Sequence, residues 1–217
     1  MRAVLRAAYR RLERSPAAPL LRLPAMRRVH RRMTATQVGA GDVIELVHLL
    51  ESERIDTILL GGWGCEALLG EQTREHGDVD LLLRDADRQR ALELLDREGF
   101  ELIYTFDAPL SASLVMELTD HRRRRSIAVH FADLVADSDG WRDWIRARIT
   151  EHGLEAGELF STGTIGGVQL QCLSARAQLA LHTGYEPTAI DRHDVRLLCS
   201  RFSLPLPPGY ESPADAA

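Results

Sequence analysis

The chain has 217 residues and a mass of 24.3 kDa, enough to bury the core of one domain with a small appendage. A composition of 45% hydrophobic and 27% charged residues excludes a disordered or fibrous protein, and no apolar run approaches the ~18 residues of a membrane-spanning helix. The net charge of -5 conceals an asymmetry: residues 1–33 hold ten arginines against the single acid Glu13, so the remaining body is near -14 and nucleic acid is not the expected partner.

In chain order, residues 1–40 read as a basic N-terminal arm with two helix-like stretches, Arg2–Arg14 and Pro24–Arg32, broken by the turn Ser15-Pro16-Ala17-Ala18-Pro19. Arginines interrupt any apolar run there, so a secretory signal is not expected. An arm docked on the domain and contact with an anionic surface both remain open. From Asp42, Val43, Ile44, Leu46, Val47, Leu49 and Leu50 recur at helical spacing. Asp56–Leu60 reads as a buried strand running into Gly61-Gly62, then a short helix over Glu66–Leu69 that Gly70 stops. A strand over Val79–Leu83, a helix over Arg88–Glu98 and strands near Glu101–Phe106, Ser113–Leu118 and Ser126–Phe131 follow. The last two are expected to pair through a turn at Thr119–Arg124, which would leave the Arg122–Arg125 run solvated.

A polar, Trp-containing stretch at Asp137–Trp144 marks a boundary. Beyond it come strands at Glu158–Thr162 and Val168–Cys172, helices at Ser174–Gly184 and Asp191–Phe202, and a Pro-rich tail. The fold class is therefore α/β (α+β) with a mixed sheet. Its expected divisions are the arm 1–40, a core 41–136 and C-terminal strands and helices 137–217. Cys65, Cys172 and Cys199 lie far apart without a C-x-x-C pair, which excludes a zinc ribbon or disulfide framework and suits a reducing cytoplasm.

The chemistry concentrates in two segments, Leu60-Gly61-Gly62-Trp63 and His76-Gly77-Asp78-Val79-Asp80. Two glycines at a strand-to-helix junction let backbone N–H groups approach a phosphate where the helix dipole favours an anion. Asp78 and Asp80, two apart at the start of an apolar strand, point to one face with Cα atoms ~6.6 Å apart at ~3.3 Å per residue. Carboxylates that close repel, and a hard divalent cation such as Mg²⁺ bridging substrate phosphates relieves them.

The run G-G-W-G-C-E-A-L-L-G-E-Q-T-R-E-H-G-D-V-D resembles the signature of the small antibiotic nucleotidyltransferases, the lincosamide and aminoglycoside 2"-type adenylyltransferases of the polymerase-beta-like nucleotidyltransferase superfamily. The resemblance continues through T-G-T-I-G-G-V-Q-L-Q-C-L-S-A-R-A-Q-L-A-L-H-T-G-Y-E-P and D-R-H-D-V, covering about residues 42–210. It implies transfer of a nucleoside monophosphate from ATP or another nucleoside triphosphate to the hydroxyl of a small molecule, with Mg²⁺ and release of pyrophosphate. By resemblance Gly61 and Gly62 cradle the triphosphate, Asp78 and Asp80 hold metal, and Arg74 and His76 contact the nucleotide or orient the carboxylates. Trp63 either stacks on a ligand or belongs to the core. Glu66 stands where relatives usually have Asp.

One departure concerns the third carboxylate. Relatives carry it on a neighbouring strand in a pattern like V-D-x-H-P, as metal ligand and general base. The corresponding segment here is Ile127-Ala128-Val129-His130-Phe131, so Ala128 occupies the acid's position. An alanine neither binds metal nor takes a proton, and loss of a positioned base costs about 10²- to 10⁴-fold. Glu117, Asp133 and His130 are the candidate substitutes, against a solvated or packed role for each. Toward the C-terminus, Arg192 or His193 is placed by resemblance near phosphate and Tyr185 or an acid near the acceptor; Asp191 and Asp194 as helix caps and His182 as a packed residue are the alternative. The acidic body suits a cationic acceptor such as an aminoglycoside. The rival reading is a catalytically inactive nucleotide-binding or regulatory relative that kept the fold and lost the base.

Overall fold

The computed structural model describes residues 37–108, 113–132, 154 and 156–211. The expected N-terminal helices, Asp133, the stretch Asp137–Trp144 and the last residues of the tail lie outside them. Helix α1 (Ala40–Ser52) is capped by Asp42, whose Oδ2 accepts from the Gly39 N–H at 2.9 Å. It buries Val43, Leu46, Val47 and Leu50, the stripe read from the helical spacing. Strand β1 (Ile58–Leu60) is shorter than expected and passes directly into α2 (Gly61–Leu69). The glycine pair is thus the first turn of a nine-residue helix rather than a loop before a shorter one. Gly70, at φ 80°, ends it.

After β2 (Val79–Arg84) come α3 (Arg88–Arg97), β3 (Phe100–Ala108), β4 (Ser113–Asp120) and β5 (Arg125–Ala132). The hairpin β6 (Phe160–Ile165) and β7 (Val168–Leu173) precedes α4 (Ala175–Leu181) and α5 (Ala189–Phe202). The strands form one mixed sheet of seven in the order β3-β4-β5-β2-β1-β7-β6. In it β2 runs parallel to β5 and antiparallel to β1, and β1 runs parallel to β7.

Strand alternation divides the core in two. Val79, Leu81, Leu83, Ile127, Val129 and Phe131 face α1 and α3. Leu60, Leu82, Ala132 and Leu173 face the other way, toward Ala177 of α4 and Leu159. A third cluster joins Cys65 of α2 to Val195, Leu198 and Cys199 of α5 and to Tyr210. Close approach of α2 to the sheet sets a glycine at 163, where a Cβ would fall 2.4 Å from the Ala67 carbonyl carbon.

Arg125 corrects the expectation of a solvated arginine run. Arg122, Arg123 and Arg124 are exposed, but Arg125 lies within β5 and is only 4% exposed. Its guanidinium reaches Asp120 at 3.3 Å and Glu45 of α1 at 3.1 Å, over the Phe100 ring. The physical reason is its place in the strand register: Arg125 pairs with Asp120, so an opposite charge stands directly across the ladder. Among the described residues no helix is long and apolar enough to cross a membrane.

Candidate active site

The site forms where β1 hands over to α2 beside the start of β2. Leu60 and Asp80 are partners across the β1–β2 ladder, which carries the Asp80 carboxylate to the first turn of α2. Gly61 takes a left-handed φ of 62°, and a Cβ there would lie 2.3 Å from Oδ2 of Asp80. Only a glycine lets the backbone pass so close to that carboxylate. At Gly62 a Cβ would meet Nη2 of Arg74 at 2.5 Å and the His76 ring at 2.6 Å. The N–H groups of this first turn have no intrahelical acceptor, the property that makes a helix start attractive to phosphate.

Behind Gly62 stands a buried polar pair. His76 Nε2 and Glu66 Oε1 are 2.8 Å apart, and both residues are almost fully buried. Glu66 also accepts from the Thr73 N–H at 2.7 Å. Burial pushes the Glu66 carboxyl up, but the bonds from His76 and Thr73 outweigh it and hold the group below its ordinary value. Trp63 packs on His76 with ring centroids 4.6 Å apart and is 1% exposed, so of the two roles open to it the core one describes its position. Arg74 is gripped by Asp194 of α5 through two bonds, Nε to Oδ1 at 2.8 Å and Nη2 to Oδ2 at 2.6 Å. Burial of Arg74 opposes its charge; the Asp194 carboxylate more than offsets this.

Across the sheet, Asp80 pairs in register with Ala128, and Ala128 with Glu117. His130, two residues along β5, approaches Asp80 with Nε2 3.9 Å from Oδ1, and its Nδ1 is buried without a hydrogen-bond partner among the described residues. Gly61, Gly62, Arg74, His76, Asp80 and His130 therefore meet at one locus. Arg192 and Tyr185 belong to a second cluster. Arg192 donates to the Gly209 carbonyl and lies over the Tyr210 ring, while the Tyr185 hydroxyl donates to Asp191 at 3.2 Å. Burial, then Asp191, pushes the Tyr185 phenol well above its ordinary value. Asp191 caps α5 through Thr188, and His182 is buried with Nδ1 2.8 Å from the Gln178 carbonyl oxygen, both as in the packed alternative.

The sequence reading missed Gln178 and gave Asp194 only a capping role. Gln178 of α4, fully buried, donates to the Gly61 carbonyl at 3.4 Å, and Asp194 clamps Arg74 instead of capping a helix. The Arg74–Asp194 pair is separated by 120 positions, so no local pattern announces it.

The residues present suit a divalent cation. Asp78 and Asp80 offer hard oxygens, and among the described residues no cluster of three or more His, Cys, Asp or Glu completes a protein-only cage. Carboxylate oxygens are the hard donors that a divalent cation takes.

The mixed sheet, with its glycine helix start against the Asp-x-Asp strand, has the fold of solved nucleotidyltransferases. Residues 42–198 match the aminoglycoside-2"-adenylyltransferase family, and the chain belongs to that family. It is similar to a lincosamide resistance protein of Staphylococcus haemolyticus, with 26% identity over 174 residues, spanning 77% of this chain and 99% of that protein. The structure of the lincosamide antibiotic adenylyltransferase LnuA, lincomycin-bound, shares the fold with a TM-score of 0.59 at 24% identity, over 76% of this chain and 98% of LnuA. ANT(2")-Ia in complex with adenylyl-2"-tobramycin gives 0.54 at 18% identity, over 75% and 88% of the two chains. The protein is a nucleotidyltransferase, and its family implies a nucleoside triphosphate as co-substrate.

Proposed function

We propose that this enzyme transfers a nucleoside monophosphate, AMP from ATP, to a hydroxyl of an antibiotic of the aminoglycoside or lincosamide type. The observation that carries the reading is the seating of the Gly61 backbone against the Asp80 carboxylate, which brings amide donors and an acid to one point. Gly61 and Gly62 bind the triphosphate through backbone N–H groups, and Asp78 and Asp80 hold Mg²⁺, which when bound neutralises charge on the phosphates and the leaving pyrophosphate. His76 and Arg74, anchored by Glu66 and Asp194, hold the first turn of α2 in place from behind. Helices α4 and α5 close one side of the cleft, with Tyr185 and Arg192 toward the acceptor and nucleotide. The acidic body attracts a cationic acceptor, and three free, buried thiols suit the cytoplasm.

Ala128 is expected to slow turnover, since the strand beside Asp80 carries no acid at that row. The test is pyrophosphate release from ATP and GTP with Mg²⁺ over a panel of aminoglycosides and lincosamides. Acceptor-dependent release is expected from the wild type, faster release from Ala128→Asp, and loss of about 10²-fold or more in Asp78→Asn. Nucleotide binding without release from either the wild type or Ala128→Asp would instead support an inactive, nucleotide-binding relative, the reading that Ala128 favours.

A further inference from the structure

An in-line displacement at the α-phosphorus needs a group to take the acceptor's proton, and that group must stand within hydrogen-bond reach of the hydroxyl. The sheet register shows where one can stand. Asp80 on β2 is the Cα partner of Ala128 on β5, and Ala128 is the Cα partner of Glu117 on β4. Direct partners share a face, so the three side chains form one row, with neighbouring strands ~4.8 Å apart. Met116 and Leu118, on either side of Glu117, pack into the opposite core, which confirms that Glu117 is directed to the Asp80 face. Glu117 is 7% exposed, a rare state for a glutamate in mid-strand unless the carboxylate is engaged.

Ala128 contributes only a methyl group to the middle of the row. A carboxylate on Asp80 and a carboxylate on Glu117 thus flank a low point, their backbones ~10 Å apart at two strand spacings. Glutamate is one methylene longer than aspartate, a length that lets a side chain from β4 reach toward the volume an acid at 128 would otherwise fill. On β5 this face also carries the titratable His130, but its Nε2 lies 3.9 Å from Asp80 Oδ1, beside that carboxylate rather than across the row from it.

Resting on the nucleotidyl-transfer reading, we propose that Glu117 is the general base of this enzyme, acting from β4 in place of an acid at 128. The acceptor O–H bond breaks and its proton passes to the Glu117 carboxylate. The oxygen bonds to the α-phosphorus, and the bond from that phosphorus to the bridging oxygen breaks, pyrophosphate leaving with the electron pair. Glu117 then returns its proton to solvent.

The experiment measures pyrophosphate release and, separately, Mg²⁺–ATP affinity by titration calorimetry for the wild type, Glu117→Gln, Ala128→Asp and the double variant Glu117→Gln/Ala128→Asp. The expected result is a kcat loss of about 10²- to 10⁴-fold in Glu117→Gln with ATP affinity unchanged, and recovery in the double variant. A Glu117→Gln enzyme at the wild-type rate, or one that Ala128→Asp does not rescue, would overturn the proposal. If Glu117→Gln no longer binds ATP, Glu117→Asp decides. Lower kcat at unchanged affinity supports the role and unchanged kcat defeats it. A silent wild type with an active Ala128→Asp overturns the Glu117 assignment and leaves the transfer reading standing. Silence in all four, with every acceptor, defeats the transfer reading itself.

Discussion

Gly61 shows how much of a site can depend on a missing side chain. Its left-handed φ and the 2.3 Å gap between a would-be Cβ and Asp80 both penalise a larger residue. Gly61→Ala should cost about 1–3 kcal/mol in backbone strain and displace the Asp80 carboxylate, so ATP affinity and turnover fall together. Urea denaturation beside nucleotide titration checks this, and a variant of wild-type stability and affinity would contradict it. The glycine pair and the Asp-x-Asp pair were legible in the sequence because turn chemistry and strand alternation are local. The pairing of His76 with Glu66 was not: the two are ten positions apart on different elements, and nothing in either neighbourhood signals the other.

Among the elements, the β4–β5 hairpin is tied to α1 by one buried guanidinium. Arg125 satisfies Asp120 across the ladder and Glu45 on the helix, and Asp120 also accepts from the backbone N–H groups of Arg122 and Arg123. Removing one partner of a buried ion pair leaves the other charge uncompensated, so Arg125→Ala should destabilise by about 3–5 kcal/mol. Arg122→Ala, an exposed side chain in the same turn, should stay within ~0.5 kcal/mol of the wild type. Equal urea midpoints for the two variants would refute the distinction. Composition alone treats the four arginines alike; the strand boundary separates them. If the hairpin loosens, the row that carries Ala128 and Glu117 loosens with it, and turnover should fall as stability does.

On the scale of the whole molecule, charged groups buried at distant points make stability depend on pH. Glu66 and Asp120 are each pushed up by burial but held below their ordinary values, Glu66 by His76 and Thr73, Asp120 by backbone amides and Arg125. A carboxyl whose folded value is depressed adds stability that is fully present above the unfolded value and is lost as pH falls through the folded one. The urea midpoint should therefore hold down to about pH 5 and fall steeply below about pH 4.5, where carboxyls of unfolded chains begin to bind protons. Glu66→Gln/Asp120→Asn should start lower and decline less over the same window. Parallel curves for the two proteins would show that these carboxylates are not the source of acid lability.

By itself the sequence determined most of the strand and helix pattern of the described residues, the mixed α/β class, the glycine pair at the β1–α2 junction and the Asp-x-Asp strand, because each rests on periodicity or spacing within a few residues. Its motifs were sufficient to indicate the family. Tertiary structure alone decided which residues stand behind that site: the clamp of Arg74 by Asp194, the reach of Gln178 to Gly61, and the row Asp80–Ala128–Glu117. Those contacts join strands and helices far apart in the chain. Their register is set by burial of two sheet faces at once, since a slip of one residue would turn every core side chain outward.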